Sequence, residues 1–297
     1  MKSFRGTYTV MITPFTAEGT LDLPALRRFV DWQIEQGIHG LVALGSTGEF
    51  LSLSDEENAA VAETVIGQAA GRVPVLIGTG AEDTREVVRL SRRAESLKAD
   101  GVMIIPPYYS TPTEDELYHH YKTVAAAIGL PIMLYNNPAT ANVDLTPPVV
   151  ARLSTIDNCR YIKESTLEVT RVRDILRLCG DRMTVFGGIL GFESFVEGAA
   201  GWVAVASNVA PAPLARLFEL VADEERISEA RALYLRYLPL IEFVGGHAYV
   251  AGTKALLRHM GLDVGLPRPP RLPLPTPRDA VAAEIVQRLA LALRPAA

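Results

Sequence analysis

Cysteine is scarce in this chain, with two residues, Cys159 and Cys179, each in or beside an apolar segment. A disulfide scaffold is therefore not indicated, and the pair reads as small buried hydrophobes. Histidine is sparse too: five residues are scattered without the spacing that a zinc site needs, so no metal is expected. Basic residues never run beyond pairs such as Arg27-Arg28 and Arg92-Arg93, and the net charge is -5, so nucleic acid is not expected as a partner. Long apolar runs are missing as well. Nothing approaches the roughly 18 residues of a membrane span, and Met1 leads almost directly into Arg5-Gly6-Thr7 without the apolar core of a secretion signal. The expectation is a cytoplasmic protein with no membrane partner.

What is there is a rhythm. The 297 residues are 48% hydrophobic and 21% charged, an ordinary globular composition that suits one large α/β domain or two smaller ones. Short apolar runs predict strands at Gly6–Phe15, Gly40–Leu44, Pro74–Gly78, Gly101–Ile105, Pro131–Tyr135, Cys159–Lys163, Thr184–Gly187 and Trp202–Val205. Helical patterns follow each: from an Asp22 cap to Gly37, Ser54–Ala70, Asp83–Leu97, Thr113–Ile128, Thr146–Leu153, Glu168–Cys179, Leu190–Ala200 and Pro211–Val221. The runs are apolar throughout rather than alternating, as in a parallel sheet covered by helices. Eight such units, with no glycine-rich nucleotide fingerprint after the first strand, predict a (β/α)8 TIM barrel over an open doubly wound sheet. Residues 1–224 would form this catalytic barrel. Residues 225–297 would form a C-terminal extension of three helices (Arg226–Val244, Tyr249–Met260, Arg278–Leu293), with Pro267–Pro277 as a stiff extended spacer.

In such a barrel the carboxyl ends of the strands carry the chemistry. Those ends present Gly45-Ser46-Thr47, Pro107-Tyr108-Tyr109, Tyr135-Asn136-Asn137, Lys163 and Gly187-Gly188. An uncharged lysine amine at a partly apolar strand end can attack a ketone and form a Schiff base. Lys163 is that candidate, and Tyr135, ending the preceding strand, is the candidate proton donor and acceptor. Gly45, Ser46 and Thr47 form a turn whose N–H groups and hydroxyls could receive a carboxylate. Tyr109 lies in a mobile-looking, proline-flanked loop and could equally be an interface residue. Glu49 reads as an anchor through the loop hydroxyls or as a solvated carboxylate. Asn136 and Asn137 are expected to bond to the turn backbone before Pro138, and His119, His120 and His247 to be structural or on the surface.

The chain resembles the dihydrodipicolinate synthase and N-acetylneuraminate lyase superfamily of class I, lysine-dependent aldolases. The resemblance rests on Gly45-Ser46-Thr47-Gly48-Glu49, Pro107-Tyr108-Tyr109, Leu134-Tyr135-Asn136, Tyr161-Ile162-Lys163-Glu164 and the run Gly201–Asn208. It implies that Lys163 forms the imine with pyruvate or another short 2-oxo acid, without metal or organic cofactor. It implies that Tyr135 shuttles protons in a relay with Ser46 and Tyr109, and that Ser46 and Thr47 bind the substrate carboxylate. Tyr109 would come from across a tight dimer, and the assembly would be a homotetramer built as a dimer of dimers. Gly188 and Val203 would line the pocket.

Two departures bear on the substrate. Thr140 stands where the synthase branch has the arginine that binds the carboxylate of aspartate semialdehyde, a loss on the order of 2–5 kcal/mol. Ile189 and Leu190 offer no hydrogen bonds to a polyhydroxylated sugar acid. The leading expectation is carbon-carbon cleavage or condensation through the Lys163 imine. A dehydratase or deaminase of a 2-oxo or cyclic imino acid, such as a hydroxypyrroline carboxylate, is the first alternative. A 4-hydroxy-tetrahydrodipicolinate synthase is a second, disfavoured by Thr140, and a non-catalytic 2-oxo acid binding protein a third.

Overall fold

The computed structural model describes residues 3–293. In it the apolar runs become eight parallel strands that close in chain order into a barrel: β1 (Gly6–Val10), β2 (Gly40–Ala43), β3 (Val75–Gly78), β4 (Gly101–Ile104), β5 (Ile132–Asn136), β6 (Cys159–Glu164), β7 (Thr184–Gly187) and β8 (Gly201–Ala204). Every residue of β1, β2, β4, β5 and β8 is buried, which is why these runs do not alternate.

Helices α1 (Leu23–Glu35), α2 (Asp55–Ala69), α3 (Thr84–Ser96), α4 (Glu114–Ala127), α5 (Pro147–Leu153), α6 (Thr170–Cys179), α7 (Phe192–Val196) and α8 (Pro211–Ala222) follow the strands in turn. Their starts are written locally. The Asp22 carboxylate accepts from the Ala25 amide, and Ser54 with Glu57, and Thr113 with Glu116, form reciprocal capping boxes. Three further helices end the chain: α9 (Ile227–Gly245), α10 (Tyr249–His259) and α11 (Thr276–Leu289).

Several boundaries differ from expectation. β1 stops at Val10, and Phe15 instead makes an isolated antiparallel bridge with Leu21. β6 runs one residue further, through Glu164. α11 ends at Leu289 because Ala290 turns left-handed, at φ 50°. α7 keeps only Phe192–Val196. Its expected first turn lies instead against the β8 tryptophan, where a Cβ on Gly191 would come within 2.6 Å of the Trp202 ring.

By internal packing the chain divides into two compact units, the segment up to Gly6 with Pro74–Val203, and Thr7–Val73 with Ala204 onward. The first has an aromatic centre. Phe4 and Tyr161 lie 4.7 Å apart, Tyr161 and Phe186 6.2 Å apart, and the Phe4 amide donates to the Tyr161 hydroxyl at 3.2 Å. The second is tied by polar side chains: Gln33 bridges the Thr9 hydroxyl and the Ser207 carbonyl, and Asn208 bonds both Ile12 N and Val10 O. Both cysteines are buried, and burial pushes the Cys159 thiol up to about 12.

Candidate active site

In the first unit the β5–β6 register sets Tyr135 beside Lys163 and Asn136 beside Glu164. Because side chains alternate along a strand, Tyr161 and Lys163 share one face of β6 while Ile162 and Glu164 take the other. Lys163 is 5% exposed and Tyr135 6%, and the lysine amine lies 4.1 Å from the centre of the tyrosine ring. The opposite face of the same strand ends is locked by polar side chains. Asn136 Nδ2 donates to Glu164 (3.0 Å) and Asp144 (3.1 Å), and its Oδ1 accepts from the Leu145 amide. Arg171 grips Asp144 through two nitrogens, at 2.6 and 2.9 Å, and that guanidinium holds the Asp144 carboxyl below its usual range. A slip of register would break this network, so it fixes the pairing that sets Tyr135 beside the amine.

The asparagines therefore do not simply bond to the turn. Asn136 bonds mainly to carboxylates, and Asn137 Nδ2 donates to the Tyr135 hydroxyl at 3.0 Å. Thr140 is exposed, and its hydroxyl turns back to the Asn137 carbonyl at 3.3 Å. Val203 is fully buried and Ile189 half-buried. Gly188 is held by close approach, since a Cβ there would lie 1.8 Å from the Ser165 hydroxyl. His120 is buried with Nδ1 2.8 Å from the Thr84 hydroxyl, and burial lowers it to about 4, a structural histidine.

The loop carrying Tyr109 is pinned rather than loose. One carboxylate, Glu82, accepts from the amides of Tyr108 and Tyr109 (3.0 Å each) and Ser110 (2.9 Å), and Asn142 Nδ2 donates to the Tyr109 carbonyl at 2.8 Å. The Tyr109 ring itself projects, 84% exposed. Partial burial works to raise the Glu82 carboxyl, but the hydrogen bonds from Ser110, Tyr109 and Tyr108 outweigh it and hold the group below its usual range. With the folded pKa depressed, the clamp is intact above the usual glutamate value of about 4.3 and is lost only as pH falls through the lower folded value. Glu82→Gln is expected to speed hydrogen exchange of these three amides about tenfold at neutral pH, the effect of one lost charge-assisted bond.

In the second unit, β2 ends in the turn Gly45-Ser46-Thr47-Gly48-Glu49. Ser46–Gly48 form a single 3-10 turn, and the Thr13 hydroxyl donates to the Gly48 carbonyl at 2.8 Å. Thr47 is buried and Ser46 half-buried. Leu44 and Glu49, on either side, are both left-handed (φ 59° and 57°), a conformation costing about 1–2 kcal/mol in a residue with a side chain. Glu49 is neither solvated nor bonded to the loop hydroxyls. It is 1% exposed, with Oε1 2.8 Å from Lys254 Nζ and Oε2 accepting from the Arg268 amide at 2.8 Å. Arg268 also grips Glu57 and the Gly19 and Ser52 carbonyls, and the Lys254 and Arg268 cations lie 4.2 and 4.3 Å from the centre of the Phe15 ring. The proline-rich spacer is thus fastened to this turn.

Sequence reasoning passed over Glu82, Lys254 and Arg268. Only Arg268 carried a local signal, as one of two cations, with Arg271, amid the prolines of the spacer. Among the described residues no group of three or more His, Cys, Asp or Glu side chains is placed to hold a metal ion, and no helix is long and apolar enough to cross a membrane.

The profile of the dihydrodipicolinate synthetase family matches residues 3–289. A 4-hydroxy-tetrahydrodipicolinate synthase of Nitrobacter hamburgensis is 40% identical over 286 residues, 94% of each chain. Among solved structures, a chloride-inhibited dihydrodipicolinate synthase of Acinetobacter baumannii complexed with pyruvate superposes with a TM-score of 0.94 at 32% identity, covering 97% of this chain and 100% of that one. The 4-hydroxy-tetrahydrodipicolinate synthase of Methylacidiphilum fumariolicum gives 0.93 at 33% identity, over 97% and 96%.

Proposed function

The chain belongs to the dihydrodipicolinate synthetase family, and from that premise we propose that it condenses pyruvate with an aldehyde through an imine on Lys163. It is a class I, lysine-dependent Schiff-base lyase of the pyruvate type. The observation that carries the residue assignment is the buried Lys163 amine 4.1 Å from the Tyr135 ring. The amine attacks C2 of pyruvate, and Tyr135 gives a proton to the departing hydroxyl of the carbinolamine, releasing water. The protonated imine then draws electrons from C3. Loss of a C3 proton gives an enamine, whose carbon attacks the aldehyde. Ser46 and Thr47, with Gly45, receive the pyruvate carboxylate, a role supported by the family resemblance and by their place at the carboxyl end of β2. Tyr109 completes the relay from a neighbouring subunit of a homotetramer, which its exposed ring on a pinned backbone supports.

The synthase names of the relatives favour condensation over cleavage and over the eliminating alternative. They also favour the 4-hydroxy-tetrahydrodipicolinate synthase reading, with aspartate semialdehyde as the aldehyde, that Thr140 sets second among the alternatives. Thr140 still favours a second reading for the partner aldehyde. The guanidinium beside this loop, Arg171, is taken by Asp144 and Glu168 and does not replace the missing arginine. The aldehyde would then lack the carboxylate of aspartate semialdehyde.

Borohydride reduction in the presence of pyruvate tests the first step: one reduced pyruvate is expected on Lys163, and no adduct with any 2-oxo acid would leave a binding protein. Rates with pyruvate plus aspartate semialdehyde, against pyruvate plus uncharged aldehydes, decide between the partners. Elimination without an aldehyde would revive the dehydratase or deaminase.

A further inference from the structure

Two asparagines stand side by side where β5 ends, and they are used in opposite ways. Both ends of the Asn136 amide are engaged, with Glu164, Asp144 and Leu145 N. Asn137 is engaged at one end only. Its Nδ2 donates to the Tyr135 hydroxyl at 3.0 Å, while its Oδ1 is buried with no hydrogen-bond partner among the described residues. A structural asparagine satisfies both ends of its amide, because a buried carbonyl without a donor costs free energy. Here the unsatisfied amide persists beside the phenol that the proposed reaction uses. Its backbone is fixed as well, since the amides of Thr140 and Ala141 both donate to the Asn137 carbonyl at 3.0 Å.

We infer that Asn137 is a positioning residue for Tyr135, holding the phenol oxygen by an N–H donor so that the phenol proton is aimed away from the turn. This rests on the reading of Tyr135 as the proton shuttle. The phenol O–H first breaks to give its proton to the carbinolamine hydroxyl, which leaves as water. The phenolate then takes a proton from C3 of the imine, regenerating O–H and leaving the electron pair in the enamine. A donor already in place at the oxygen stabilises the phenolate between these steps without reorganisation. Borohydride trapping carried to its end point reports how much imine can form, which a slowed proton shuttle leaves unchanged, whereas the exchange rate reports the phenolate steps themselves, so loss of Asn137 separates the two.

The test needs only pyruvate. Native enzyme in D2O is expected to exchange the pyruvate methyl hydrogens, read by NMR, and to trap pyruvate on Lys163 with borohydride. Asn137→Leu removes the donor at similar size. Asn137→Asp keeps the shape, serves where the leucine variant fails to fold, and sets a charge against the phenolate. Both are expected to retain trapping at saturating pyruvate while the maximal exchange rate falls about tenfold or more, with KM for pyruvate changed less than about twofold. Asn137→Gln, which keeps the amide, is expected to recover part of the rate. Exchange at the native rate in the first two variants overturns the inference. So does a loss matched by equal loss of trapping or by a proportional rise in KM, which marks a role in folding or binding. If native enzyme neither traps nor exchanges, the imine reading fails rather than this one.

Discussion

Lys163→Met is expected to abolish borohydride-trapped pyruvate and to lower kcat on the order of 10^4-fold or more, the scale of loss when a covalent nucleophile is removed. Methionine keeps the unbranched stem, so the loss reports the amine rather than a cavity. The chain has five lysines, and among the described residues two of them, Lys163 and Lys254, are buried. Lys254 is the instructive competitor. Burial draws its amine down to about 8 against the opposing pull of Glu49, a perturbation that by itself would nominate it as a nucleophile. Geometry decides otherwise. Its Nζ is held 2.8 Å from the Glu49 carboxylate and 3.1 Å from the Leu266 carbonyl, over the Phe15 ring. Those partners fix an ammonium in place, whereas the Lys163 amine faces the ring of a proton-bearing residue. Peptide mapping after reduction checks the distinction, and an adduct on Lys254 in the Lys163→Met variant would overturn it.

What was legible in the sequence follows from what is locally encoded. The Ser54–Glu57 and Thr113–Glu116 capping boxes are four-residue signals and fix two helix starts. The strands were legible because parallel strands covered on both faces leave short apolar runs between turn residues. Lys163 and Tyr135 were legible as ends of consecutive strands, which parallel pairing sets side by side. Charge pairing was not legible, because nothing near Glu49 announces an amide 219 positions away. The same holds for Glu82, whose three donors lie 26 to 28 positions downstream on another loop. The start of α7 was misjudged because the helical pattern of 190–200 carries no trace of Trp202 occupying the space beside Gly191. Asn137 was read as an ordinary turn residue, since its spacing from Tyr135 does not reveal where its amide points.

Lys254→Met is expected to destabilise the protein by about 3–5 kcal/mol, because it strands a carboxylate already removed from water. The side chains of Glu49 and Lys254 are 0% and 2% exposed, so neither solvent nor a rotamer change can replace the lost partner. A loss of that size lowers Tm by roughly 5–8 °C in a chain of this length, read by calorimetry. The double variant Glu49→Gln/Lys254→Met removes the stranded charge as well and should regain more than half of the loss; equal Tm values for single and double variants would show that the pair is not coupled. The pair also bears on the reaction. The turn that carries Ser46 and Thr47 is bounded by two left-handed, non-glycine residues, a backbone that holds only while the surrounding structure over-determines it. Glu49 is one of those residues and also the anchor, so releasing its carboxylate lets the turn relax toward ordinary backbone angles. If that turn binds the pyruvate carboxylate, KM for pyruvate should rise in Lys254→Met at temperatures where the variant is still folded, while the reduced adduct stays on Lys163.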